Sequence, residues 1–294
     1  FEVQLVGDDV DQLTVVDALQ THLGLLDLVE IVQFREAMTE KGEDYQIAFI
    51  EGSCTRKSDE ARLLTIRAQA SVVVALGACA HLGGVNSMKN RWPIENVQAY
   101  VYGQDGKDAY ESYPARPISA VIKVDAVIPG CPIDRFEFLR IVQMMLQGRT
   151  PRLPDYPLCV ECKLEENACL NKLGKPCLGP ITRAGCGAIC PTYGDGCEGC
   201  RGWAPEANFA YMREVLRENG LSDADIDARF TMFNHYQLQQ MGEPAPVTTA
   251  TFPSNTAMII SFVQSVKLRK LRPPRQAMPC RPRSVWSRSC RCAG

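Results

Sequence analysis

Eight cysteines lie between residues 159 and 200, and they constrain this chain more than any other feature of its sequence. The first cysteine set, spaced Cys-x2-Cys-x6-Cys-x7-Cys, consists of Cys159, Cys162, Cys169 and Cys177. The second cysteine set, spaced Cys-x3-Cys-x6-Cys-x2-Cys, consists of Cys186, Cys190, Cys197 and Cys200. Each set provides four soft ligands, and the Gly and Pro residues between them favour a tightly wound backbone. Each set can therefore close on one metal centre.

Disulfides, zinc and iron–sulfur clusters are three possible uses of these cysteines. Disulfides are typical of small secreted scaffolds, and nothing in the sequence selects one pairing of eight cysteines over another. Zinc sites usually join one close pair of ligands to a second pair across a spacer, which this series resembles only loosely. Two adjacent sets of four suit cubane iron–sulfur clusters better. Spacing alone favours iron–sulfur over zinc and leaves both open.

Apolar runs of strand length alternate with helical patterns in the first half of the chain. Strands are predicted at residues 28–34, 45–50, 71–76 and 124–128. A helix is predicted from Ser58 to Ala70, and Asp134 is a candidate N-cap for another that ends near Gly148. This order predicts right-handed crossovers and an open, doubly wound parallel sheet.

The composition changes at Pro151, after which Pro, Gly and Cys dominate as far as Trp203. No apolar stretch there is long enough to bury a core by itself, so we expect metal centres to hold the segment together. Two helices should follow, at about 205–219 and 222–241, the second capped by Ser222. We therefore predict three regions: an α/β domain over 1–150, a metal-stapled domain over 151–243, and a basic, poorly ordered tail over 244–294.

Charge and hydropathy exclude several classes of protein. The chain has 294 residues and is 46% apolar, which excludes wholesale disorder, and its apolar tracts are too short to span a membrane. The net charge of -2 hides an acidic body, because no Asp or Glu follows Glu243 whereas the last 28 residues hold two Lys and seven Arg. Nucleic acid is therefore not expected as a partner.

Two more cysteines follow predicted buried strands in the α/β half. Cys79 lies in Leu76-Gly-Ala-Cys-Ala-His-Leu-Gly-Gly84, and Cys131 lies in Val127-Ile-Pro-Gly-Cys-Pro-Ile133. The carboxyl ends of parallel strands line one crevice, so both thiols can face the same ligand. One such cysteine would be interpreted as a small buried hydrophobe. Two in equivalent positions, both flanked by glycine, favour a ligand role.

These motifs, together with Pro176-Cys-Leu-Gly-Pro-Ile-Thr-Arg183 and Gly196-Cys-Glu-Gly-Cys-Arg-Gly202, resemble the small, electron-transferring subunit of NiFe hydrogenases. The match runs from about Glu2 to Asn234 and is most similar to the cytosolic multi-subunit branch. The resemblance implies a flavodoxin-like domain followed by a domain stapled by iron–sulfur clusters, in a cytoplasmic protein. It also implies a NiFe centre on a separate large subunit and a flavin- or iron–sulfur-containing partner.

The resemblance further implies three 4Fe-4S clusters. Cys79 and Cys131 would bind the proximal cluster, the first cysteine set the distal cluster, and the second cysteine set the medial cluster. The family opens with a strand and a Cys-x-x-Cys loop that provides two more proximal ligands. This chain begins at Phe1-Glu-Val-Gln-Leu, where we expect that loop to have just ended, so the proximal site is incomplete in these residues.

The remaining candidates have simpler interpretations. We expect Cys54 to be a buried thiol, His81 to be hydrogen-bonded to backbone, Glu51 to cap a turn, and His22 and His235 to lie on helix surfaces. The predicted function is electron relay within a hydrogenase. Two alternatives are the small subunit of a quinone-reducing respiratory complex and a zinc-stapled interaction module without redox chemistry.

Overall fold

The computed structural model describes residues 2–6, 10–22, 24, 27–34, 42, 44–103 and 111–242. The predicted tail over 244–294 lies outside this range. The strands of the described residues are β1 (Glu2–Val6), β2 (Glu30–Phe34), β3 (Ile47–Glu51), β4 (Val72–Leu76) and β5 (Ala126–Ile128). They form one sheet in the order β2-β1-β3-β4-β5, and every neighbouring pair is parallel. This is the flavodoxin-like order, so the predicted α/β fold is confirmed.

The helices of this half cover both faces of the sheet. They are α1 (Val10–Thr21), α2 (Lys57–Gln69), α3 (Gly77–Leu82), α4 (Ile94–Tyr102) and α5 (Arg135–Leu146), with 3-10 helices at Gly84–Arg91 and Ile118–Ala120. Asp134 caps α5 as predicted, because its carboxylate accepts the N–H of Glu137 over 2.7 Å.

Alternating side chains of the strands build two separate apolar cores. On one face, residues such as Leu5 and Phe49 pack against α1 and α5, and the Phe49 and Phe138 rings lie 5.6 Å apart. On the other face, residues such as Ile50 and Val73 pack against α2 and the segment around Ile118. The central strands are buried on both sides, which explains their continuous apolar sequence.

The start of the chain differs from the prediction. The opening strand of the family was expected before Phe1, but Glu2–Val6 already forms β1, paired with both β2 and β3. Val3 and Leu5 point into one core and Val6 into the other, which gives these residues a place inside the sheet. The residues between β1 and α1 are Gly7, Asp8 and Asp9, and none is a cysteine.

The cysteine-rich half contains short helices followed by two longer ones. They are α6 (Cys159–Leu164), a 3-10 helix at Leu170–Leu173, α7 (Ile189–Thr192), α8 (Phe209–Glu218) and α9 (Asp223–Met241). Ser222 caps α9 as predicted, since its hydroxyl accepts the N–H of Asp225 over 3.2 Å.

A third apolar core, which the sequence did not predict, joins this half together. Leu178, Ile181 and Trp203 from the cysteine-rich segment pack against α8 and α9. The Trp203 ring lies 5.2 Å from that of Phe209 in an edge-on arrangement. Hydrophobic burial therefore supports a segment for which we expected only metal centres.

Helix α9 also packs against α3 and the 3-10 helix Gly84–Arg91 of the α/β half. These contacts cross the predicted boundary between residues 150 and 151, which stays a prediction. Among the described helices, none combines the length and the apolar character that a membrane span requires.

Candidate functional site

Cys79 and Cys131 lie at the carboxyl ends of β4 and β5, as predicted. Helix α3 begins immediately after β4, and the N–H of Ala78 donates to the carbonyl of Gly130 over 2.6 Å, which ties the two cysteine loops together. Gly84 approaches Cys79 so closely that a Cβ there would lie 2.6 Å from Sγ. Cys79 is half-buried and Cys131 is exposed. The loops thus hold both cysteines at one edge of the sheet.

Two acidic residues accept backbone hydrogen bonds at this edge of the sheet. The carboxylate of Glu51, at the end of β3, accepts the N–H of Asp11 in the first turn of α1 over 3.1 Å. The carboxylate of Asp11 in turn accepts the N–H of Ile133 over 2.7 Å, just beyond Cys131. Glu51 therefore caps a helix rather than a turn. Sequence analysis missed Asp11, whose only local signal is its place in the first turn of a helix after a strand.

The first cysteine set surrounds a cavity of about 40 Å³ that all four of its members line. Cys159 and Cys162 lie on α6, and Cys177 is buried. Burial raises the pKa of the Cys159 thiol to about 11, with further contributions from the neighbouring Cys177, Cys162 and Cys169. The side chains of these three cysteines therefore lie near that of Cys159.

Asn171 fixes the position of Cys177 within this set. Its carbonyl oxygen accepts the N–H of Cys177 over 3.0 Å, and its amide nitrogen donates to the carbonyl of Cys177 over 2.9 Å. Both backbone groups of Cys177 are thus satisfied by one side chain. No local pattern pointed to this role, because it depends on how the 3-10 helix Leu170–Leu173 lies against Cys177.

The structure also brings the second cysteine set together. Burial raises the pKa of the Cys200 thiol to about 12, and nearby Cys186, Cys131 and Cys190 add to the shift, whereas Arg201 opposes it. Burial likewise raises the pKa of Cys197, helped by its neighbour Cys200. Cys131 is therefore an electrostatic neighbour of the second set, although 55 or more residues separate them in sequence.

The two cysteine sets are joined by backbone groups. The N–H of Cys197 donates to Sγ of Cys177 over 3.3 Å, and the carbonyl of Cys197 accepts the N–H of Leu178 over 2.8 Å. On the other side, Asn234 interrupts α9 with non-helical φ and ψ angles and donates to the carbonyl of Gly199 over 2.9 Å. The second set is thus held between the first set and α9.

The arrangement of donors can be tested against the metal centres considered above. Among the described residues, no three His, Cys, Asp or Glu side chains converge as closely as a single metal ion requires. Tetrahedral Zn–S bonds of about 2.3 Å would hold the sulfurs about 3.8 Å apart. A cubane cluster spreads its four thiolates around a larger core. The four cysteines of the first set, which line one cavity, therefore fit the ligand set of an iron–sulfur cluster.

The other sulfur and histidine predictions have mixed outcomes. Cys54 is buried as expected, and its Sγ lies 3.0 Å from the hydroxyl of Tyr113. His22 is exposed at the end of α1.

The prediction for His235 was wrong: it is fully buried on α9, because that helix packs against the 3-10 helix Gly84–Arg91. Burial lowers the pKa of His81 to about 4, with further lowering by Arg183 and Arg201.

Comparison with known proteins adds to this geometry. The family model described as NADH ubiquinone oxidoreductase, 20 Kd subunit, matches residues 11–145 and so ends before the first cysteine set. Sulfhydrogenase 2 subunit delta of Pyrococcus furiosus is 39% identical over 216 residues, which cover 72% of this chain and 88% of that subunit. A vhu subunit of the F420-non-reducing hydrogenase of Methanocaldococcus jannaschii is 30% identical over 268 residues, which cover 80% of this chain and 93% of that subunit.

A solved structure agrees with the fold. The chain resembles a chain of the actinobacterial-type NiFe-hydrogenase from Ralstonia eutropha H16 with a TM-score of 0.50 and 14% identity. The likeness covers 86% of this chain and 95% of the other. At this identity the comparison bears on fold alone.

Proposed function

Because this chain belongs to the family of small subunits of multi-subunit NiFe hydrogenases, we propose that it relays electrons between a NiFe site on a large partner subunit and a second partner that holds a flavin or iron–sulfur clusters. One relative, from Archaeoglobus profundus, is named an iron-sulfur subunit of an F420-non-reducing hydrogenase. The proposal therefore makes this chain the electron-transferring part of a hydrogenase, acting in the cytoplasm.

One observation supports this proposal most: links between the three groups of cysteines follow one another through the fold. Cys79 and Cys131 share one edge of the sheet, the charge of Cys131 contributes to the raised pKa of Cys200, and the second cysteine set contacts the first through Cys197 and Cys177. Centres held in this order would pass electrons by short steps. A chain that used its cysteines only as structural staples would not require such continuity.

In the proposed relay, the cysteine thiolates hold three 4Fe-4S clusters. When bound, these clusters supply one-electron chemistry without proton transfer. The first cysteine set holds the distal cluster and the second the medial cluster, while Cys79 and Cys131 provide two ligands to the proximal one. The surrounding chain keeps water from the buried sulfurs and donates N–H groups to them, as Cys197 does to Cys177.

The alternatives predict different properties. A zinc-stapled module would be colourless and would contain zinc in place of iron. A quinone-linked small subunit is suggested by the family model, but that model does not reach either cysteine set. The hydrogenase relatives match over most of their own length, and this favours the hydrogenase assignment.

The test is to purify the complex anaerobically through a tag on this chain and to measure its iron, sulfide, zinc and visible spectrum. We expect broad absorption near 400 nm that bleaches on reduction, with about eight irons from the two complete sets and more if the proximal cluster is present. Co-purifying chains should include a nickel-containing large subunit. A colourless, zinc-loaded complex without nickel would overturn the proposal.

A further inference from the structure

Arg201 is an arginine buried beside proposed cluster ligands, with 1% of its surface exposed. Its Nε donates to the carbonyl of Ala184, its Nη1 to the carbonyl of Pro129 and its Nη2 to Oε1 of Glu137, each over 2.8 Å. Nη1 also lies 2.8 Å from Oε2 of Glu137, which is itself buried. The guanidinium is therefore fixed by three separate parts of the chain.

Two of the three anchors lie beside ligands of the proposed proximal and medial sites. Arg201 follows Cys200 directly, Ala184 lies two residues before Cys186, and Pro129 lies two residues before Cys131. The room for the guanidinium depends on Gly185, because a Cβ there would lie 2.8 Å from Cζ of Arg201. The guanidinium of Arg201 is thus held near ligands of both the proposed proximal and the proposed medial site.

The charge of Arg201 reaches the sulfurs of the second cysteine set. Arg201 follows Cys200 directly in the chain, and the hydrogen bond from its Nε to the carbonyl of Ala184 holds the buried guanidinium beside the segment that carries Cys186. A charge that stabilises a thiolate also stabilises added negative charge on the cluster that the thiolate holds. Because the site is buried, solvent screens this interaction less than it would at the surface.

Glu137 is the counter-charge. Its carboxylate pairs with Arg201 and also lies 3.4 Å from Arg140, a half-exposed residue that water screens more strongly. Removing one partner of a buried pair leaves the other charge without compensation. Changes at Arg201 and at Glu137 should therefore shift the local potential in opposite directions.

We propose that Arg201 raises the reduction potential of the cluster held by the second cysteine set, and that Glu137 partly offsets this effect. Arg201 is then a positioning and tuning residue of the relay. The second cysteine set would hold this cluster, which would supply one-electron transfer with no bond or proton exchanged. The added negative charge is what Arg201 stabilises. This inference rests on the proposed function.

The experiment is an EPR-monitored redox titration of the purified complex, with the second-set signal assigned by its loss in Cys200→Ser. We expect Arg201→Met to shift that midpoint potential to more negative values and Glu137→Gln to shift it to more positive values. Arg201→Lys, which keeps the charge but loses the planar fork, should stay near wild type in potential while lowering Tm. Arg217→Met, at an exposed arginine on α8 paired with Asp223, is the matched control and should leave the potential unchanged.

Opposite shifts of the midpoint potential in Arg201→Met and Glu137→Gln distinguish tuning from structural damage. Structural damage would shift the potential of both variants in one direction. If Arg201→Met fails to assemble, the positive shift of Glu137→Gln and the Arg201→Lys potential still test the proposal. If the second-set signal is present but its midpoint potential is unchanged, or shifts in the same direction in both variants, the role of Arg201 is overturned and the proposed function is not. If Cys200→Ser removes neither iron nor signal, the relay proposed for the second set fails as well.

Discussion

The backbone N–H of Cys197 donates a hydrogen bond to Sγ of Cys177 across 3.3 Å, so the two cysteine sets share a contact that neither could form alone. Both residues are buried. A hydrogen bond to a ligand sulfur stabilises negative charge on it and is one of the means by which proteins adjust cluster potentials. The structure therefore couples the proposed distal and medial sites through the main chain.

Gly196→Ala should break this coupling. A Cβ at residue 196 would clash with the carbonyl oxygen of Pro176 and lie 3.3 Å from Cα of Cys177, so the segment that carries Cys197 must move away. We expect a loss of stability of about 1–3 kcal/mol and a lower potential for the first-set cluster. Thermal unfolding and EPR titration of the complex measure both effects. Gly24→Ala is the control, because no atom of the described residues lies within 4 Å of a Cβ there.

Cys200→Ser should remove about four irons per chain, because a buried hydroxyl is a poor substitute for a thiolate ligand. Iron analysis and the visible spectrum of the complex measure the change. Cys54→Ser is the matched control: that thiol is buried too, but it contacts Tyr113 and lies in neither cysteine set. Equal iron loss in both variants would contradict the assignment of ligands.

His235 should make the stability of the protein depend on pH. Burial, and then the charge of Arg91, lowers the pKa of this histidine to about 4 from its ordinary 6.5. Because the unfolded chain binds the proton more readily, this contribution is complete above about pH 6.5 and is lost as the pH falls toward 4. The loss reaches up to about 3 kcal/mol. Unfolding measured between pH 7.5 and 5 should show it.

The control for this prediction removes the titrating ring. Neither ring nitrogen of His235 has a hydrogen-bond partner among the described residues, so His235→Leu should flatten the pH dependence without a large loss of stability at pH 7.5. An unchanged slope in His235→Leu would contradict the prediction.

Trp203→Ala should destabilise the cysteine-rich half by about 3–5 kcal/mol, because Trp203 fills the core between that segment and helices α8 and α9. Trp203→Phe should cost much less. It keeps an aromatic ring beside Phe209 and Phe230, and it removes an indole N–H that has no partner among the described residues. Equal losses in Trp203→Ala and Trp203→Phe, measured by thermal unfolding of the complex, would show that packing is not the cause.

Local patterns predicted much of this molecule. Continuous apolar runs indicated parallel strands buried on both faces, and Asp134 and Ser222 were identified as caps because a cap needs only its own first turn. The two cysteine sets could also be identified from the sequence. Short loops bring residues that are near in sequence together in space. The caps involve residues three apart, and neither cysteine set spans more than 19 residues.

The tertiary structure alone decided which distant residues meet. Glu137 and Arg201 pair across 64 residues, Cys131 neighbours Cys200, and His235 is buried because α9 lies against Gly84–Arg91. An arginine after a cysteine and a histidine on a polar helix look like surface residues in any local window. Their burial depends on how the sheet and the cysteine-rich segment pack together, and such packing leaves no periodic signal in the sequence.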